Sequence, residues 1–127
     1  MYKYLLIIIS SILICSCGEY HQVQKSNDFD YKLDYAKRAF EQKKYVQAYT
    51  ILKDVITVFK GTEKAEESLY LLALSHYENK EYLDASIYFQ TYYSRYPKGK
   101  YASETDVKWD EIATIDVGLV DDKGTIQ

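Results

Sequence analysis

The sequence predicts an all-α protein built of stacked helical hairpins, and three observations carry that expectation. Side chains recur at one spacing: Tyr45 and Ala48 return 37 residues later (82 minus 45) as Tyr82 and Ala85, Ala36 as Ala73, Phe40 as Tyr77, Leu52 as Phe89 and Phe59 as Tyr96. A fixed period of roughly 20 to 50 residues marks stacked units, each too small to bury its apolar face alone. Inside each period the apolar residues fall three and four apart, as on one face of a helix. The chain has a single proline, Pro97, so long stretches are free to be helical.

The first element is a leader. Met1 to Tyr4 carries Lys3 and the amino terminus, and Leu5 to Ile14 is apolar except for Ser10 and Ser11. A membrane-crossing helix needs about 20 apolar residues. This run is shorter and has the basic-then-apolar order of a signal peptide, assigned to residues 1–16. Ile14-Cys15-Ser16-Cys17 resembles a bacterial lipobox, with a small residue before the modified cysteine and an apolar one three before it. The resemblance implies cleavage before Cys17 and lipid on its sulfur and new amine. Cys15 fits less well, because bulky Ile14 would fill its small position. Two or more acyl chains give stable anchoring. Residues 17–27 are expected to be a lipidated tether, in which Gly18 to Asn27, polar and aperiodic, span ten residues and reach at most about 35 Å.

Four helices follow. Asn27 or Asp28 suits an N-cap, since its side chain accepts from the free backbone donors of a first turn. Leu33, Ala36, Ala39 and Phe40 share one face of the first helix, and Glu41 to Lys44 form a polar turn. Tyr45, Ala48, Tyr49, Leu52, Val55, Ile56 and Phe59 line the second, with Gly61 as terminator and Thr62 as the next cap. Ala65, Leu69, Leu72, Ala73, His76 and Tyr77 line the third, and Asn79-Lys80-Glu81 turns the chain. Tyr82, Ala85, Phe89, Tyr92, Tyr93 and Tyr96 line the fourth, which must stop before Pro97.

Two such hairpins, over residues 28–97, resemble tetratricopeptide repeats and imply an α-α superhelix. Ala36, Ala48, Ala73 and Ala85 would let paired helices approach closely. The usual family period is about 34 residues, so the longer spacing here is expected to lie in the loop between repeats. Residues 98–127 begin a third repeat, with Ala102 answering to Ala65, and then diverge. Asp110 stands where Ala73 predicts a small residue. Thr114 to Gln127 alternates and is β-prone, with Asp121 to Gly124 as a turn, so an irregular tail or a truncated repeat is expected.

Composition narrows the function. The apolar fraction is 47%, enough for a packed core, and fifteen tyrosines against four phenylalanines favour surfaces that are part core and part interface. A formal net charge of -3 gives no basic footprint for nucleic acid. Neither metal nor cofactor site is expected: Cys15 and Cys17 are the only cysteines, His76 reads as a core histidine, and His21 lies in the tether. Asp28, Asp30 and Asp34 lack the glycine of a calcium loop and suit a helix N-terminus. Nucleophile motifs and phosphate-cradling glycine loops are absent, so neither an enzyme nor a small-molecule substrate is expected.

In repeats of this kind the first helix of each hairpin lines the binding face. By position that face holds Leu33, Lys37, Phe40 and Glu41 from the first hairpin and Tyr70, Leu74, Tyr77 and Glu78 from the second. Aromatic anchors beside charges suit an extended peptide.

The lipobox, the short tether and the tyrosine-rich repeats act together with Phe59-Lys60-Gly61-Thr62, the run Ala65 to Tyr70, and Thr91 to Pro97. In combination they resemble the BamD-type outer-membrane assembly lipoproteins of Bacteroidetes-like bacteria. The resemblance spans about Leu5 to Glu104. It implies a lipid-anchored subunit on the periplasmic face of the outer membrane, whose partners are unfolded barrel precursors and barrel-assembly subunits. Two alternatives of other classes are a pilotin-like adaptor of a secretion or pilus machine and a glycan-capturing surface lipoprotein.

Overall fold

The computed structural model describes the backbone of residues 1–119 and the side chains of residues 1–9 and 18–115. It is all-helical. The order is α1 (Tyr2–Lys25), α2 (Phe29–Glu41), α3 (Tyr45–Val58), α4 (Glu63–Glu78), α5 (Tyr82–Arg95) and α6 (Ala102–Leu119). Each helix from α2 to α6 packs mainly on its neighbours in sequence, so α2–α3 and α4–α5 are stacked hairpins and α6 extends the stack.

The alanines sit where close approach requires them. Ala36, Ala48, Ala73 and Ala85 are fully buried, beside Ile51, Leu52, Val55, Leu72, Phe89 and Tyr92. Overfilling such a seam costs about 1–3 kcal/mol, so larger side chains are excluded. Tyr93, expected inward, is 43% exposed and faces solvent, while Tyr92 holds the core position.

Both hairpins turn by the same device. The amides of Lys43 and Lys44 donate to the carbonyls of Phe40 and Ala39, and those of Lys80 and Glu81 donate to Tyr77 and His76. Lys43 (φ 61°) and Lys80 (φ 62°) take the left-handed conformation that such a Schellman ending requires. Asp28 caps α2 as expected, accepting from Tyr31 N at 2.9 Å. Thr62 stands at the N-cap of α4 but does not cap it; its hydroxyl donates back to the Phe59 carbonyl at 2.7 Å.

Three further expectations need correction. The extra length of the period lies in a helix and not in a loop: α2 has 13 residues and α4 has 16, while their starts, Phe29 and Glu63, are 34 apart (63 minus 29). Residues 18–25 are not a free tether. α1 runs on to Lys25, with Val23 fully buried, Tyr20 stacked on Tyr35 at 6.2 Å, and Glu19 bridged to Arg38 at 2.9 Å. The buried Lys32 amine donates to the Gln24 carbonyl at 3.2 Å and to Asp54 at 3.0 Å, tying α1 to both helices of the first hairpin. A valine and an aromatic pair in a short polar segment leave too little pattern to signal this helix in sequence.

The third correction concerns the tail, where α6 is helical through Leu119, so residues 114–119 are not strand. β-Branched residues are only weakly disfavoured in helices, so this stretch can continue α6. The 37-residue register continues into α6, where Thr105 and Ile112 are buried like Ser68 and Ser75. Asp110 is exposed where Ala73 is buried, since no described helix packs on it as α5 packs on α4. The expected turn at Asp121 to Gly124 lies outside the described residues.

Candidate functional site

α2 and α4 lie side by side with little direct packing, and charge bridges the gap. Lys37 pairs with Glu67 at 2.7 Å, and Lys64 pairs with Asp30. Between the helices is a depression of about 260 Å³ lined by Lys37, Phe40, Glu41, Glu67, Tyr70, Leu71 and Tyr101. A second, of about 300 Å³, continues from it at Glu67 and Tyr101 and is lined by Glu63, Lys64, Glu66 and Lys100. Together they form one groove, aromatic at one end and charged at the other.

Of the residues expected on this face, Lys37, Phe40, Glu41 and Tyr70 line the groove. Leu33 does not, because it is 5% exposed and belongs to the core. Leu74 and Tyr77 are half-buried and pack against the core, and Glu78 is exposed at the end of α4 outside the groove. Tyr77 is committed elsewhere: its hydroxyl donates to Glu111 of α6, and Lys108 lies 4.5 Å over its ring. Glu67, Leu71 and Tyr101 were not anticipated. Glu67 could have been found as an acid free to meet Lys37, but Tyr101 comes from the α5–α6 connection and only the fold brings it here.

The groove wall is stiff. Tyr70 stacks on Tyr101 with centroids 4.4 Å apart and planes 3° off parallel, and its hydroxyl donates to Glu104 at 2.7 Å. Burial, then the bond to the Glu104 carboxylate, holds the Tyr70 proton well above the ordinary tyrosine range. Behind it the Tyr92 hydroxyl donates to Glu66 at 2.7 Å and accepts from Tyr101 N at 2.9 Å. Lys100 N also donates to Glu66, at 2.7 Å. Helices α4 and α5 and the following connection are thus fixed to one another by a single carboxylate and a single phenol.

His76 is a core histidine as expected, 3% exposed, sandwiched by Tyr49 (4.0 Å between centroids) and Tyr88 (5.3 Å). Its Nδ1 lies 2.7 Å from Glu81 Oε2, and its Nε2 is buried without a partner. Burial acts to raise the Glu81 carboxyl, but bonds from His76, Asn79 and Tyr49 outweigh it and hold the group below the usual carboxylate range. His21 is exposed on α1.

Cys17 falls within the backbone span of α1, and its side chain lies outside the described residues. Among the described residues, no helix is long and apolar enough to cross a membrane. Comparison with known protein families, curated proteins and solved structures gives no match.

Proposed function

We propose that this chain is a lipid-anchored docking protein of the outer-membrane protein assembly machinery. It is held through Cys17 on the periplasmic face of the outer membrane, and it binds extended segments of unfolded barrel precursors in the α2–α4 groove. The observation that carries the reading is the groove itself: Phe40, Tyr70, Leu71 and Tyr101 offer apolar and aromatic contact beside Lys37, Glu41 and Glu67. An extended chain needs such alternating contacts, and a wall fixed before binding spares the cost of ordering it. Docking of residues 19–25 on the first hairpin leaves Gly18 alone between Cys17 and that contact, so the lipid would keep the groove close to the membrane surface.

Two measurements test the proposal. Fluorescence anisotropy with peptides from the C-termini of barrel proteins should give saturable binding, weakened at least about tenfold (about 1.4 kcal/mol) by Phe40→Ala. No saturation at high micromolar peptide would sink the groove assignment. Labelling cells with radioactive palmitate should mark the wild-type chain and not Cys17→Ser; absence of label on the wild type would remove the anchor.

A further inference from the structure

We propose that the turn of the second hairpin is a binding site for a divalent transition-metal ion of the zinc class, with His76 Nδ1, Glu81 and Asp84 as ligands. One ligand atom from each of the three residues lies within 4.8 Å of the others. The set comes from one short stretch of chain: His76 near the end of α4, Glu81 as N-cap of α5, and Asp84 in the first turn of α5. An imidazole with two carboxylates suits zinc-class ions, whereas magnesium and calcium favour an all-oxygen shell.

The repeat supplies its own control. The positions equivalent to His76, Glu81 and Asp84, each 37 residues earlier (76 minus 39), are Ala39, Lys44 and Gln47. The first hairpin builds the same Schellman ending with none of the three ligands, so the turn does not require them. His76 is buried to 3% exposure with its Nδ1 held 2.7 Å from Glu81 Oε2, an arrangement the first hairpin does without.

The surroundings hold the ligands in place. Tyr49 and Tyr88 lie nearly parallel to the imidazole, at 13° and 16°, and clamp the ring from both faces. The Tyr49 hydroxyl donates to Glu81 Oε1 at 3.4 Å and orients that carboxylate, as outer partners of metal ligands do. Asp84 is exposed, so an ion can enter from solvent and keep a water in a fourth position. Binding takes the neutral imidazole with its lone pair on Nδ1 and its single proton on Nε2, so the ion takes the place of the hydrogen bond between Nδ1 and Glu81. Two full negative charges outweigh the partial charge of about +0.5 at the start of α5.

The test is calorimetric titration of the full chain in detergent with Zn²⁺, using Mg²⁺ as the control ion. One saturable zinc site of micromolar affinity is expected, with no magnesium binding. Asp84→Asn and Glu81→Gln should each weaken zinc binding at least about tenfold, while His21→Ala should leave it unchanged. Co²⁺ should give the visible absorption of a nitrogen-containing, low-coordinate site in the wild type and lose it in Asp84→Asn. No saturable zinc binding below about 100 µM, binding indifferent to Asp84→Asn, or binding abolished by His21→Ala would each overturn the proposal.

Discussion

Tyr92 Oη donates to Glu66 Oε1 at 2.7 Å while accepting from Tyr101 N at 2.9 Å, so one fully buried phenol links α4, α5 and the connection to α6. Gly99 lies against this knot: a Cβ built there would fall 2.5 Å from the Tyr92 hydroxyl and closer still to Glu66 Oε1. Tyr92→Phe leaves a carboxylate short of one donor and a backbone amide without its acceptor, at a cost of about 1–3 kcal/mol. Gly99→Ala forces the same groups apart and should cost a similar amount, about 1–3 kcal/mol. Urea denaturation of both single variants and the double variant should show sub-additive losses, because the two changes break one network.

The same phenols predict behaviour in alkali. Burial first, and then bonds to Glu104 and Glu66, hold the protons of Tyr70 and Tyr92 well above the ordinary tyrosine range. A raised folded-state pKa means that the folded protein keeps a proton the unfolded chain gives up. The stabilisation is therefore complete below the unfolded tyrosine pKa of about 10 and is lost as pH rises beyond it. Spectrophotometric titration should show the phenols of Tyr70 and Tyr92 still protonated after the pH has passed the ordinary tyrosine range. A later step should coincide with loss of helical circular dichroism. Tyr92→Phe removes one of these ionisations, so its stability, lower at neutral pH, should fall less steeply with pH above about 10; an unchanged slope would contradict the assignment.

The hairpins were legible in sequence because their signal is local and repeated. Ala36 with Ala73, and Ala48 with Ala85, mark seams whose size limit applies in every unit, so the pattern survives without knowledge of partners. What was not legible depends on a single contact from a distant segment. Val23 is the one core residue contributed by the end of α1, and one valine makes no periodicity. Tyr101 reaches the groove through the path of the α5–α6 connection, which carries no helical pattern. Leu33 was placed on the binding face although Lys37, one turn later, points to the groove and Leu33 to the core; helical position gives a face only to within about a quarter turn.

Lys43 and Lys80 hold left-handed backbone angles at equivalent points of the two turns. A side chain at such an angle crowds the following carbonyl and costs about 1–2 kcal/mol. Glycine avoids the crowding but loses more chain entropy on folding, by roughly 0.5–1 kcal/mol. Lys43→Gly and Lys80→Gly should therefore each stabilise the fold by about 0.5–1 kcal/mol. Thermal unfolding should show additive gains, since each turn closes through its own backbone bonds. Lys→Ala at either position keeps the strain and should give no comparable gain.

The docked end of α1 gives the last prediction. Besides the Lys32 bond to the Gln24 carbonyl, three side-chain contacts hold it, and they differ in strength. The Glu19–Arg38 bridge joins side chains about 40% exposed, 40% and 42% respectively, where an ion pair contributes at most about 1 kcal/mol and is weakened by salt. Tyr20 stacks on Tyr35 at 6.2 Å from the edge of the core. Val23 is fully buried among the helices, and removing two methyl-sized groups from it costs about 1.6 kcal/mol at about 0.8 kcal/mol each. Val23→Ala should therefore loosen the segment far more than Arg38→Ala does. Val23→Asp should release it altogether, because the charge would have to be buried without a partner. Hydrogen exchange read residue by residue should show the amides of 19–25 exchanging freely in Val23→Asp, while those of α4 keep their protection. Loss of protection throughout the stack would instead make this segment an obligatory cap, since Lys32 spans Gln24 and Asp54 and would then lose one of its two acceptors inside the fold.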